Sequence, residues 1–278
     1  DGHKTLACSD KFGRQIDVPR DQRPCDLTKK LPPIRLERAF QAGLRKKLGA
    51  GDVEGLFTAL AKGLAGWDYS LTGSVFAKLR DLAKDDALKD NAIRLLTLFL
   101  DRHYPTGKKR RRSILQMATE TLRSMFNAVP LLGDAPAGRH GRINFEKRQG
   151  LRPPLSGEEV LVADAAGFPP EGDDSYAQLI SEAYRLGWKR FICFGHRGQR
   201  FLGCGFGPET DGVRIDAYDS TGDYLASGID GLEIYVHGNA QDQLGQILKR
   251  GKLVVYGDVG QTFMYGAKGG EVYVLGNA

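Results

Sequence analysis

From Arg214 to Ala278 the chain repeats itself with a 19-residue period, which few folds can absorb. Aligned lines begin at Arg214, Glu233, Lys252 and Glu271. Their second positions are Ile215, Ile234, Leu253 and Val272, and their fourth positions are Ala217, Val236, Val255 and Val274. Leu225, Leu244 and Phe263 share the twelfth position, and Gly238, Gly257 and Gly276 share the sixth. The lines close near Gly231, Gly251 and Gly269-Gly270. An upstream line from Arg190 carries Phe191, Cys193, Gly195, Gly198 and Phe201 at related offsets. It runs on to Val213, longer than the others, as if Pro208 to Gly212 were an inserted loop. Of the 36 glycines, 18 fall from Arg190 onward, so this segment has a composition of its own.

Apolar residues at the second and fourth positions alternate with Asp216, Tyr235, Val254 and Tyr273, which is the pattern of a short strand with two different faces. Glycine supplies the positive φ or the close backbone approach that turns the chain. The apolar residue half a line later reads as a second short strand. One line cannot bury its own apolar face, so successive lines must stack. The period therefore predicts a parallel β-helix with coils about 4.8 Å apart and inward ladders of Ile, Val, Leu and Phe. A flexible Gly-rich linker lacks periodic Val, Ile and Tyr. A leucine-rich repeat would want Asn or Cys ladders, which the sequence does not present.

The segments Gly231-Leu-Glu-Ile-Tyr-Val-His-Gly-Asn-Ala-Gln-Asp-Gln-Leu-Gly245 and Tyr265-Gly-Ala-Lys-Gly-Gly-Glu-Val-Tyr-Val-Leu-Gly-Asn-Ala278 resemble the glycine-repeat (GXGXG) domain that closes the large subunit of glutamate synthase. A similar domain is known in formylmethanofuran dehydrogenase. The resemblance covers about Ser175 to Ala278. It implies a right-handed parallel β-helix that holds amidotransferase and flavin domains together and contributes no catalytic side chain. Cys8 is internal rather than a leading nucleophile, and no cysteine cluster fits an iron–sulfur centre. What carries over is the architecture, with flavin and iron–sulfur chemistry expected in partners and no cofactor bound by this chain. Ala278 falls eight residues into the line begun at Glu271, so further coils or a partner are expected to cover that end.

The front half is helical in pattern. Leu36, Phe40, Leu44 and Leu48 fall on one helical face. Val53, Leu56, Phe57, Leu60 and Leu64 follow Asp52, an N-cap residue. Val75, Leu79 and Leu82 make a third stripe. A fourth helix, from about Leu88 to His103, is apolar nearly all round its centre and is expected to be the buried one. A fifth runs from about Ser113 to Ala128. The expected organisation is an extended N-terminal arm over 1–33, a helical bundle over 34–129, a Pro- and Gly-rich linker over 130–158 and the β-helix with a helical cap over 159–278. The fold class is thus α + β. In the cap, Glu159 to Ala163 resembles a strand, Ser175 to Gly187 a helix and Arg190 to Phe194 a strand.

No catalytic, cofactor-binding or metal-binding set emerges from the pattern. The run Lys108 to Arg112 is five consecutive cations, and a phosphate or nucleic-acid contact would use such a run. No nucleic-acid fold signature accompanies it, and a solvated helix start or docking onto an acidic partner is favoured. Cys8 and Cys25 with His3 invite a zinc reading, but their spacing lacks the close pair of structural zinc sites. Asp10, Asp17, Asp21 and Asp26 read as surface charges of the arm. Cys193 is expected inside its coil, Cys204 in a turn without the Lys-Ser/Thr of a phosphate loop, and His196 and His237 in turns without a metal.

Composition narrows the setting. With 40 basic and 34 acidic residues the net charge of +6 is too mild to name a partner, and no run of about 18 apolar residues exists to span a membrane. Four cysteines do not build a disulfide framework, so a reducing cytoplasm is expected. The function expected is a non-catalytic scaffold in a glutamate-synthase-like, multi-subunit oxidoreductase. The alternative is a free-standing adaptor or nucleic-acid-associated protein that works through residues 108–112. A third reading, an enzyme with its site between helices and β-helix, names no residues.

Overall fold

A computed structural model of the chain describes residues 32–278 except residue 137, together with the backbone of two short strands. Those strands, β1 (Cys8–Ser9) and β2 (Gln15–Ile16), pair antiparallel. Five helices follow: α1 (Arg38–Gly49), α2 (Val53–Leu64), α3 (Tyr69–Leu82), α4 (Asp86–Asp101) and α5 (Arg111–Asn127). Side-chain caps set three of their starts. The amide of Gly55 donates to Asp52, that of Leu71 to Asp68 and that of Ala87 to Asp85, each relieving an unpaired donor of a first turn. The apolar stripes of α2, α3 and α5 bury as expected, whereas α1 buries only Leu44 and Leu48, since Leu36 precedes it and Phe40 is half-buried. Helix α4 is buried on several sides, through Leu88, Ala92, Ile93, Leu95, Leu96 and Phe99.

Beyond the helices lies one seven-stranded sheet, parallel throughout and ordered as the chain runs. Its strands are β3 (His140–Ile143), β4 (Val160–Asp164), β5 (Arg190–Phe194), β6 (Arg214–Ala217), β7 (Asp230–Val236), β8 (Arg250–Val255) and β9 (Glu271–Val274). Helix α6 (Tyr176–Arg185), capped by Ser175, connects β4 to β5. No helix among the described residues is long and apolar enough to cross a membrane. The stretch 130–158 is not a linker. His140–Ile143 pairs with β4, and a 3-10 turn follows at Phe145–Gly150. Its prolines lie outside the four strand residues, so they do not interrupt the ladder.

The 19-residue period is the register of this sheet. Arg214 pairs with Glu233, Glu233 with Lys252 and Lys252 with Glu271, and the partners at the second and fourth positions follow suit. Ile215, Ile234, Leu253, Ala217, Val236 and Val255 are all buried on one face. That face, with α6 and Leu225, Leu244 and Leu248 from the connections, forms one hydrophobic cluster. Helices α1–α5 form another cluster, which takes in Val160, Val162, Ile192, Phe194 and Tyr218 from the opposite face of the sheet. Phe126 of α5 packs on Phe194 and Tyr218 with ring centroids 5.3 and 4.9 Å away.

The second short strand expected within each line does not form. Instead Tyr224, Gln243 and Thr262 stand at positive φ, as do Ala226, Gly245 and Met264, and Gly228, Ile247 and Gly266, each set recurring once per line. Left-handed residues alternate with others, so successive amides point to opposite neighbours. Tyr224 donates to Asp242 O, Gly245 to Leu225 O and Ile247 to Tyr265 O. The bend is tighter than a pleated strand allows, yet buried backbone groups still find partners in the lines on either side.

Glycine plays two roles here. Gly231, Gly251 and Gly270 have positive φ. Gly238, Gly257 and Gly276 do not, and they are small because the line before comes close. A Cβ on Gly238 would stand 2.4 Å from Asp219 O, and one on Gly276 would stand 2.4 Å from Gly257 O. Polar ladders run at the same spacing: Asp258 N–H donates to Asn239 Oδ1, and Asn277 N–H to Asp258 Oδ1. The amides of Asp242 and Gln261 donate likewise to the carboxylates of Asp223 and Asp242.

Candidate functional site: a charged groove between helix and sheet

Helix α4 turns its most apolar side to the bundle. Its remaining side, with Asp90, Ile93, Arg94, Thr97 and Asp101, faces the outer surface of the sheet across a groove of about 520 Å³. From the sheet come the odd positions of the repeat, which point away from the apolar interior: Arg190, Ile192, Arg214, Asp216, Tyr235 and His237. The same alternation that buries Ile215 and Val236 therefore aims charged and aromatic groups at α4.

One end of the groove is a closed ionic chain. His237 Nδ1 lies 2.9 Å from Asp101 Oδ1, and its Nε2 lies 3.2 Å from Asp216 Oδ1. Asp216 accepts two further bonds from Arg214, at 2.8 and 2.6 Å. Arg214 in turn lies over the Tyr235 ring at 4.0 Å. The imidazole stacks on Tyr256 with centroids 5.4 Å apart, and Tyr218, 4.6 Å from it, shares a 2.8 Å bond with Thr97 Oγ1. Burial works against a charged imidazole, but Asp101 and Asp216 outweigh it and hold the His237 pKa up at about 9. Burial likewise opposes the Asp216 carboxylate, and His237 and Arg214 overcome it, holding that group below its ordinary range. Burial lifts the Asp101 carboxyl above its ordinary range even with His237 beside it.

Two cations face two carboxylates, so the chain is neutral as a whole. Both ring nitrogens of His237 are engaged, which leaves neither free to act as a base or to ligate a metal. The arrangement fixes a helix to a sheet. At the other end of the groove Asp90 contacts Arg139, and His140 Nε2 stands 2.9 Å from Asp90 Oδ1. Arg139 also binds Glu159.

The residues singled out from sequence fall elsewhere. Lys109, at 7% exposure, donates from Nζ to Leu64 O at 2.6 Å and to Trp67 O. It caps the open carbonyl end of α2, where positive charge is favoured. Arg111 donates to Arg102 O and lies over the Tyr104 ring. The basic run is thus partly built into the bundle rather than a wholly solvated helix start. Cys193 is buried in the sheet interior, where burial pushes its thiol up to about 12. Cys204 donates to Tyr224 O at 3.2 Å and is pushed by burial up to about 11. His196 Nδ1 contacts Tyr218 O at 2.9 Å, and burial lowers its pKa. The zinc reading rests on His3, Cys25 and the Cys8 side chain, which lie outside the described residues, as do the aspartates of the arm. Among the described residues no group of three or more His, Cys, Asp or Glu is placed to hold a metal ion.

The pattern missed the ionic chain because Asp101 and His237 are 136 positions apart. One signal was present: Asp216 is an acid at a strand position that holds Tyr235, Val254 and Tyr273 in later lines. No family model, curated protein or solved structure matches the chain.

Proposed function

We propose that the protein is a non-catalytic scaffold of a glutamate-synthase-like, multi-subunit oxidoreductase, acting in a reducing cytoplasm. In this reading the repeat winds as a right-handed parallel β-helix similar to the glycine-repeat domain closing the glutamate synthase large subunit. An amidotransferase partner and a flavin or iron–sulfur partner are held against it in register. The observation that carries the reading is the hydrogen bonding between successive lines of the repeat, which includes the connections as well as the strands. Ala240 forms parallel bridges with Thr221 on one side and Val259 on the other, outside the named strands. A stack bonded along more than one side is stiff, and stiffness is what a spacer supplies.

The groove supports the same role, since its ionic chain ties α4 to β6 and β7 without leaving a free reactive group. The adaptor reading through residues 108–112 has less support, because Lys109 is spent on capping α2. The test is isolation of the full chain from its own cells by size-exclusion chromatography with mass spectrometry of the co-eluting chains. The scaffold role requires an amidotransferase and a flavin or iron–sulfur subunit in fixed ratio with it. A chain that elutes alone, or with neither kind of partner, contradicts the role.

A further inference from the structure

Part of the groove plays no role in the scaffold reading. Arg190 and Arg214 are direct register partners on the adjacent parallel strands β5 and β6, both at outward first positions and both lining the groove. Like charges in register on neighbouring strands repel, so each needs neutralising. Asp216 does this for Arg214 through two short bonds. Arg190 makes no ion pair among the described residues. The carboxylate that feels its charge, Asp90, is already engaged by Arg139 and His140.

A further cation comes from the opposite wall. Arg94 of α4 reaches Glu54 only at 3.7 Å, and Glu54 is taken more closely by Arg102 at 2.9 Å. His140, also in the lining, has its Nδ1 buried with no hydrogen-bond partner among the described residues. Two guanidinium groups with open donors and one unpartnered imidazole nitrogen thus line a single groove. At about 520 Å³ it has the size of a small-metabolite site.

We propose that this groove binds a small organic anion, a carboxylate or a phosphate ester, with its charged group between Arg190 and Arg94 and its remainder along Tyr235 and Thr97. The planar guanidinium fork matches either anion with paired hydrogen bonds, and the anion would relieve the repulsion between Arg190 and Arg214. The proposal is independent of the scaffold role and needs no partner chain.

The test is isothermal titration of the intact chain with inorganic phosphate and, separately, with succinate, at constant ionic strength balanced by chloride. Saturable binding is expected in at least one titration, and which probe saturates separates the two sources of charge. Arg190→Gln and Arg94→Gln are each expected to weaken it by about tenfold or more. Both residues are exposed, and thermal melts verify that the variants fold. Arg197→Gln, on an exposed turn outside the groove, is expected to bind as the parent does. Absence of saturation with both probes overturns the proposal. So does unchanged binding in the two groove variants, or an equal loss in Arg197→Gln.

Discussion

His237 Nδ1 and Asp101 Oδ1 meet at 2.9 Å across the seam between β7 and α4, joining the repeat to the helical bundle. The folded ring keeps its proton to about pH 9, whereas an unfolded histidine releases it near pH 6.5. The stability from this contact is therefore fully present below about pH 6.5 and is lost as pH rises through about 9. Urea unfolding between pH 6 and pH 10 should show this loss, on the order of 3 kcal/mol. His237→Gln should be less stable than the parent at pH 7 by about 2–3 kcal/mol, with a flatter alkaline limb. An alkaline slope identical in parent and variant would show that the ring does not carry the dependence.

Acid acts through the neighbouring carboxylate. His237 and Arg214 hold Asp216 below its ordinary range, so its contribution is present above about pH 4 and is lost as pH falls through its lowered folded value. Asp216→Asn should unfold more readily than the parent at pH 7 and should show less further weakening on acidification. A parent and variant that weaken in parallel below about pH 4 would exclude Asp216 as the group concerned.

The sixth-position glycines give a steric prediction. Gly238→Ala places a methyl 2.4 Å from Asp219 O, a backbone atom that cannot swing away. Gly133→Ala meets nothing within 4 Å and has an ordinary φ. The first should cost more than about 2 kcal/mol in urea unfolding and the second less than about 0.5 kcal/mol. Equal costs at the two positions would mean the lines are not in close contact at Gly238.

Lys109 separates a structural cation from a docking cation. Lys109→Ala strips the carbonyls of Leu64 and Trp67 of their donor and should lower stability by about 1–3 kcal/mol. Lys108→Ala, at an exposed position, should stay within about 0.5 kcal/mol of the parent. The idea fails if the two substitutions prove equivalent in thermal melts.

How much of this was legible follows from the range of each interaction. The helices of the front half and the pairing register of β6–β9 are written locally, in stripes such as Val53-Leu56-Phe57-Leu60 and in the ladder Ile215-Ile234-Leu253. The strand at His140–Ile143 was hidden by the prolines and glycines around it. Its four residues form a strand only because β4 offers a parallel edge. The left-handed positions escaped because six of those nine ladder sites carry side chains rather than glycine, among them Tyr224, Gln243 and Thr262. The groove was illegible for a different reason. Asp101, Asp216 and His237 are brought together by α4, β6 and the end of β7, whose packing no spacing encodes, although an acid at position 216, where later lines hold Tyr235, Val254 and Tyr273, was a visible anomaly.

The spacer role requires that whole lines of the repeat stack as interchangeable units. Duplicating Glu233–Gly251 in the full chain tests this most directly, with the unfolding transition followed by circular dichroism. Stacked windings predict one cooperative transition at a midpoint no lower than the parent's, because the inserted line brings its own ladder partners. A duplicate of only the first half of the same line should abolish that transition. If the whole-line duplicate unfolds as badly as the half-line one, the lines are not interchangeable coils, and the spacer role falls with them.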